Sequence, residues 1–523
     1  MRSQPTDELR LLTAVGEQEL LRRLPASLVE ILEIENGGHL DGSQVARAAI
    51  ATFHTGALRE YREALGHLGP PRRWAGSAGA IAFVRSLGFR EEWAMERSVR
   101  REPFVEIDGP FSLPDLHEYQ RRIVDRVRDL IRVRNSVADR RGMISMPTGS
   151  GKTRVAVQSI VEAMRDDSFD GGVLWIADRD ELCEQAVEAW REVWASEGVQ
   201  RTQLRISRMW GGQPAPLPTA DRHVIVATIQ TLATKIARQP DRYEFLSEFK
   251  LLVFDEAHRS VTPSFTSVMQ ELGLTRWRRD DEPLLIGLTA TPYRGRDERE
   301  TERLVNRYGR NRLDEGAFSS DDPDDVIKEL QAMQVLARAD HATIEGGSFQ
   351  LTGNEMKLSA SVPWLPQSVE VRIASDVERT RRIVAEYRQR ISPDWPTLIF
   401  ATSVEHSKTI AALLTADGIN ARAVSADTDG SIRRRIVEEF RSGKINVLVN
   451  YGIFREGFDA PKTRAIIVAR PVYSPNLYFQ MIGRGLRGVR NGGNDRCLIL
   501  NVSDNIENFQ RKLAFAELDW LWD

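Results

Sequence analysis

Apolar positions change rhythm along this chain. Over the first hundred residues Leu11, Leu12, Val15, Leu20, Leu21, Leu24, Leu28, Ile31 and Leu32 recur at helical spacing, which predicts amphipathic helices. Residues 66–79 are rich in Gly and Pro, carry Trp74, and read as a loop. Residues 102–114 hold three prolines and two phenylalanines and read as an extended connector. From Leu116 short apolar runs alternate with helical patterns. The runs are 143–146, 173–177, 224–227, 251–254 and 284–288, then 398–401, 421–424, 447–449, 465–469 and 497–500. Short β-rich runs between helices predict parallel sheets built from βαβ units. Two such series predict an α/β fold of two tandem parallel-sheet domains behind a mostly helical N-terminal extension. The expected boundaries are 1–110 for a helical accessory domain, 111–335 for the first sheet domain, 336–370 for a connector and 371–523 for the second sheet domain.

Composition narrows this picture. With 523 residues, 41% of them hydrophobic and 28% charged, the chain is ordinary globular material with ample core. Two distant cysteines, Cys183 and Cys497, exclude a disulfide framework or a cysteine-built zinc site. No apolar run reaches transmembrane length and the first residues hold no apolar leader, so the expectation is a cytoplasmic protein without a membrane partner. Net charge is −3, so any polyanion site must be a local groove.

Candidate chemistry is concentrated in two places. Thr148-Gly149-Ser150-Gly151-Lys152-Thr153 follows the apolar run 143–146 and precedes a helical pattern. Glycines let backbone fold around phosphates, and the following helix start favours an anion. Met146 stands where the strict phosphate-loop pattern has Gly. Lys152 is the first of only nine lysines against 63 arginines, at the one position that needs a compact point charge. The second place is Asp255-Glu256-Ala257-His258, directly after the run 251–254. A nucleoside triphosphate needs an ammonium and backbone N–H groups at its phosphates, a hydroxyl and a carboxylate around Mg²⁺, and a second carboxylate near the attacking water. All are present in order. Gln480, Arg484 and Arg487 are spaced to share one helical face, which could close on that nucleotide, although Gly483 and Gly485 weaken a helix there without evident reason.

Further signatures complete a series: Leu116-His117-Glu118-Tyr119-Gln120, Ile176-Ala177-Asp178-Arg179, Thr228-Ile229-Gln230-Thr231, Leu288-Thr289-Ala290-Thr291-Pro292, Leu398-Ile399-Phe400-Ala401 and Glu456-Gly457-Phe458-Asp459. In this order they resemble a superfamily 2 DEAH-bearing helicase or translocase, nearest in look to type III restriction (Res-subunit) and RadD-type motors. The resemblance covers roughly 115 to 515. It implies two RecA-like domains with ATP and Mg²⁺ between them. Lys152 would contact β/γ-phosphates within a cradle of Thr148, Gly149, Ser150 and Gly151. Thr153 and Asp255 would hold Mg²⁺, and Glu256 would polarise water. Arg484, Arg487 and Gln480 would act across the cleft. His258, Thr289 and Thr291 would couple the ATP site to closure. Gln120 would read adenine, and Asp459 would sit at the nucleotide cleft.

For the nucleic-acid strand, the resemblance and the short polar character of the residues nominate Arg179, Thr228, Gln230 and Thr231, then Thr402, Ser403 and Gly457. By resemblance the strand is DNA. Phage defence, restriction and DNA repair all use such motors. A different class of reading is an ATP-gated nucleic-acid clamp that signals to a partner without unwinding. The pair Pro323-Asp324 and Glu355-Met356-Lys357 imitates a nuclease pattern, but Pro323 reads as a helix start. Residues 1–110 lack a catalytic constellation. Their helices are expected to pack as a bundle, on the first motor domain, or against a partner such as a nuclease or another defence or repair protein, and their removal is expected to spare basal hydrolysis. Trp74 and Trp93 read as buried, or as anchors for such a partner.

Overall fold

The computed structural model describes residues 4–94, 104–107, 112–132, 140–199, 201–213, 222–274, 282–290, 298–361, 365–453, 460–507, 509 and 513–517. Two sheets organise it. The first contains β1 (Phe104–Ile107), β2 (Arg141–Ser145), β3 (Val173–Ala177), β4 (Leu204–Met209), β5 (Arg222–Thr228), β6 (Leu251–Phe254) and β7 (Leu284–Thr289). Their order is β1-β4-β5-β3-β6-β7-β2, and all pair in parallel except β1, which is antiparallel to β4. The second contains β8 (Arg338–Gln350), β9 (Thr397–Phe400), β10 (Ala421–Ser425), β11 (Val447–Tyr451), β12 (Ala465–Val468) and β13 (Arg496–Glu507). Its order is β10-β11-β9-β12-β13-β8, parallel throughout. This is the expected pair of RecA-like domains. The central strands are buried on both faces, as parallel sheets covered by helices must be, and this burial made them legible as apolar runs.

Three strands were not legible. β1 and β4 form one edge, and β4 interleaves arginines with its apolar residues. β8 lies inside the segment expected to be a connector, yet it is a 13-residue strand paired along β13 at an edge of the second sheet. Its sequence is polar because most of it is only partly covered. Its Gly346-Gly347 pair answers a neighbour: a Cβ on Gly346 would lie 2.3 Å from Asp504 Oδ1, and Gly347 N–H donates to the same oxygen at 3.0 Å. Asp504 in turn accepts from Arg379 Nε (2.6 Å) and Nη2 (2.8 Å), a fully buried ion pair locking helix Val377–Arg390 to β13.

Pro323 opens helix Pro323–Ala332, with Asp322 accepting from Asp324 and Asp325 N–H. Its apolar face, Val326, Ile327 and Leu330, is buried, and Glu355 sits on another helix, ion-paired to Arg372. No nuclease arrangement forms from these residues.

The N-terminal helices are Asp7–Val15, Glu17–Arg23, Ala26–Asn36 and Gly42–Phe53. Asp41 and Gln44 make a reciprocal capping box at the start of the last, and Gly37 ends the third with φ 72°. The helices pack on one another, as one expectation held. They also pack on the second sheet domain, which was not foreseen. Helices Ala26–Asn36 and Gly42–Phe53 lie against helix Val404–Ala416, and Leu28, Ile31, Val45 and Ala49 share one buried cluster with Ile410, Leu414 and Val447. Ser27 Oγ is 3.1 Å from Thr409 Oγ1 across this contact. Trp74 and Trp93 are buried, 7% and 3% exposed, not surface anchors.

Candidate nucleotide and strand site

The phosphate loop links β2 to helix Lys152–Arg165. Gly149 and Gly151 have φ 89° and 93°, a region that costs other residues strain. A Cβ on Gly151 would also come 2.5 Å from Gln120 Nε2. Met146 fits because that side chain is buried in the core while its N–H bonds Thr289 O at 3.1 Å. Gln120 is buried, with Nε2 donating to Ser150 O (3.0 Å) and Oε1 accepting from His117 N–H (3.0 Å). Lys152 Nζ donates to Met146 O (2.8 Å) and Pro147 O (3.2 Å). Burial lowers its pKa to about 8, Glu256 and Asp255 pull it back up, and Arg484 and Arg487 add to the lowering. Five charged groups from two domains therefore act on one another here.

Asp255 is buried at the tip of β6, its N–H on Ile176 O at 2.9 Å. Glu256 follows in the left-handed region, φ 51°, a strained position for a non-glycine that turns the chain sharply after the strand. His258 Nδ1 lies 3.3 Å from Glu256 Oε2 and 3.3 Å from Thr289 Oγ1. This places the expected coupling residues His258 and Thr289 in contact. Thr291, Gly457 and Asp459 lie outside the described residues.

The second domain presents helix Pro475–Ile482, capped by Ser474 and carrying Gln480. The expected shared helical face is corrected: the helix ends at Ile482, so Arg484 stands on the turn beyond it and Arg487 on the extended segment after that turn. The glycines explain why. A Cβ on Gly483 would sit 2.7 Å from Thr148 Cβ of the phosphate loop, and one on Gly485 would sit 2.4 Å from Cys497 Sγ. Close approach to the first domain at Gly483, and to the strands of its own sheet at Gly485, sets this sequence in place of helix continuity. Arg487 is bridged to Leu336, and its Cγ would be 3.7 Å from a Cβ on Gly149.

The strand candidates gather at the carboxyl ends of the strands, where ligands of open α/β sheets bind. Arg179 and Gln230 converge on buried Asp178: Gln230 Nε2 donates to Oδ1 (3.2 Å), and Arg179 Nε is 3.6 Å from Oδ2. Arg179 Nη1 also reaches Gly452 O at 3.5 Å, joining the two domains. Thr228 and Ser403 act as helix caps, on Thr231 N–H (3.4 Å) and His406 N–H (3.0 Å). Thr231 Oγ1 accepts from Thr228 Oγ1 at 2.8 Å. Thr402 is fully buried, its hydroxyl on Ala469 O at 2.8 Å.

Two family models match this chain: "Type III restriction enzyme, res subunit" over residues 113–294, and "Helicase conserved C-terminal domain" over 378–489. The chain belongs to the superfamily 2 helicases, related to the Res-type motors. Among relatives, Saccharomyces cerevisiae IRC3, provisionally named an ATP-dependent helicase, is 26% identical over 75% of this chain and 52% of its own. The "DNA 3'-5' translocase XPB2" of Sulfurisphaera tokodaii is 23% identical over 80% and 90%. The chain spans about half the length of the first curated relatives it matches. A structure of S. cerevisiae Dbp5 bound to RNA and ADP BeF3 aligns with 76% of this chain and 87% of that one, with TM-score 0.52 and 14% identity, a likeness of fold.

Two residues of this helicase-family site were not found by sequence reading. Asn491 Nδ2 donates to Gly149 O at 3.1 Å, and its Oδ1 is 3.3 Å from His117 Nε2, tying the second domain to both the loop and the Gln120 segment. Its signal was weak, an Asn in a Gly-rich turn. Asp178 was quoted within a motif, yet its role as the shared acceptor for Arg179, Gln230 and Arg259 needed coordinates.

Proposed function

We propose that this chain couples ATP hydrolysis to movement along a nucleic-acid strand, with DNA as the strand. The observation that carries this is the meeting of Lys152, Asp255 and Glu256 of one domain with Arg484 and Arg487 of the other at a glycine contact. Cationic groups for a triphosphate and carboxylates for a cation are gathered in one place, so the residues fit ATP with Mg²⁺. Mg²⁺, held by Thr153 and Asp255, would neutralise charge on the phosphates. Lys152 and the N–H groups of the loop would hold the β/γ oxygens. Glu256 would orient the attacking water, and His258 would report its state to Thr289, whose carbonyl is bonded to the loop at Met146. Arg484, Arg487 and Gln480 would stabilise charge arriving on the γ-phosphate from the far side. Gln120 would read an adenine edge with the hydrogen and lone pair its present bonds leave.

Arg179, Gln230, Thr231 and Ser403 would touch the strand, with Thr228 and Thr402 shaping the strand ends that present it. The printed name of the XPB2 relative supports DNA, and the Res-subunit match supports a setting in restriction; phage defence or DNA repair in the cytoplasm would use the same motor. A nuclease or similar partner would reach the motor through residues 1–110. The test is hydrolysis with and without single-stranded DNA, duplex DNA and RNA, alongside a strand-displacement assay. Stimulated hydrolysis with displacement is expected. Stimulation without displacement or translocation would instead identify a clamp, and no stimulation by any of them would overturn the reading.

A further inference from the structure

Away from the ATP cleft, a groove of about 640 Å³ opens between the N-terminal helices and helix Gly430–Arg441 of the second domain. Arg59, Arg62, Arg72 and Arg434 line it, with Asp429 as the single carboxylate among the described lining residues. Asp429 is engaged as the helix cap, accepting from Ser431 N–H (2.9 Å) and Ile432 N–H (3.4 Å). Four positive groups against one negative leave the groove three charges positive, in a chain whose total is −3. Arg62, Arg72 and Arg434 are exposed and form no salt bridge among the described residues. Like charges lining one groove repel, and an anion between them relieves that repulsion. Trp74 lines the groove at 7% exposure and forms part of its floor.

The helix that lines the groove also reaches the first domain near the strand candidates. Arg433, beside Arg434, pairs with Glu181 of the first domain at 3.3 Å, two residues beyond Arg179. We propose that this groove carries the nucleic-acid strand beyond the two motor domains and holds its phosphates on Arg62, Arg72 and Arg434. The N-terminal region thereby adds Arg62 and Arg72 to the Arg434 side of the second domain. The ligand class is a phosphodiester backbone, recognised without regard to base. This rests on the translocase reading above.

The test uses the full chain and labelled oligothymidylate and oligouridylate, titrated over a range of salt, with inorganic phosphate as competitor at matched ionic strength. Arg62→Glu with Arg72→Glu should weaken oligonucleotide binding at low salt and flatten the salt dependence by about 1.4 in log–log slope, from two contacts at about 0.7 each. Arg62→Lys with Arg72→Lys should keep the slope, because a point charge suffices for a phosphate. Hydrolysis without nucleic acid should be unchanged. If the double reversal lowers Tm, Arg434→Glu alone serves, with an expected change of about 0.7. Unchanged affinity and slope in the reversal variants, while wild type binds, overturns the groove alone. Inorganic phosphate displacing the strand from wild type but not from the lysine pair reassigns the groove to a free phosphate and overturns it. Wild type binding neither oligonucleotide overturns the groove, and the translocase reading falls with it only where duplex DNA also leaves hydrolysis unchanged.

Discussion

The two faces of the second sheet are covered by different neighbours. Leu398, Phe400, Leu448, Ile466 and Ile499 point into a cluster that continues to the first motor domain. Ile399, Val447, Val449, Ile467 and Leu500 point the other way, into the cluster shared with the N-terminal helices. The alternation along each strand is the period-2 rule applied to a sheet buried on both sides. The difference lies at the ends. Towards the first domain, strand ends and turns bring charge, a strained Glu256 and a glycine pressed on Thr148. Towards the N-terminal helices the centre of the contact is apolar side chain on apolar side chain, with a hydroxyl pair at Ser27 and Thr409 and charged groups such as Arg388 and Glu35 (3.9 Å) at its margin. One side is equipped to respond to ATP; on the other, the apolar contact fixes the helices in place beside the arginine-lined groove. The N-terminal helices are thus part of the second domain's packing, and a chain starting at Pro110 is expected to lose solubility or Tm, against the expectation that removal spares hydrolysis.

The sharpest break of this comparison is Lys152→Ala. It should abolish hydrolysis and weaken nucleotide binding while leaving Tm near wild type, since no methyl group replaces an ammonium at phosphates. Steady-state turnover within a few-fold of wild type would remove the phosphate-loop assignment. The wild-type ammonium should lose its proton as pH rises through about 8. Because the charged form binds the phosphates, nucleotide affinity should fall over that range, which calorimetry across pH can read.

Glu256→Gln should separate binding from chemistry. Turnover should fall by roughly two to three orders of magnitude, as when one group serving the transition state is removed. Nucleotide affinity should hold because Lys152 and Asp255 remain. A Gln variant unable to bind nucleotide would make Glu256 a structural residue.

On the apolar side, Ile31→Ala tests whether the helices are fixed. The side chain is fully buried, so the cost should be about 2–5 kcal/mol. It should appear as a lower Tm with turnover per folded molecule unchanged. A variant with an unchanged Tm would mean that the N-terminal helices rest on the second domain without contributing to it.

The smallest effect should come from Asn491→Ala. Losing the bond to Gly149 O should cost about 0.5–1.5 kcal/mol of domain closure and leave Tm nearly unchanged. Raised KM for ATP with little change in maximal turnover is the expected pattern. A fall in turnover alone would point to a role in the reaction instead.

What the sequence determined by itself was local or strongly patterned. Central strands β3 and β6 were legible to the residue because burial on both faces makes continuous apolar runs. The phosphate loop and the Asp255–His258 segment were legible because their chemistry needs residues in consecutive positions. Tertiary structure decided the rest, for stated reasons. β8 is an edge strand, so its sequence answers to Arg379 and Asp504 and not to a core. Gly483 and Gly485 looked like flaws in a helix until Thr148 and Cys497 were seen against them. Thr402 carries a strand-contact signature and is fully buried, since a hydroxyl at a strand end reads the same whether it faces solvent or a carbonyl. The N-terminal helices displayed an apolar stripe, which requires a cover without naming one. Only the coordinates show that helix Val404–Ala416 covers it, because a hydrophobic stripe is non-directional and any apolar surface of matching shape would satisfy it.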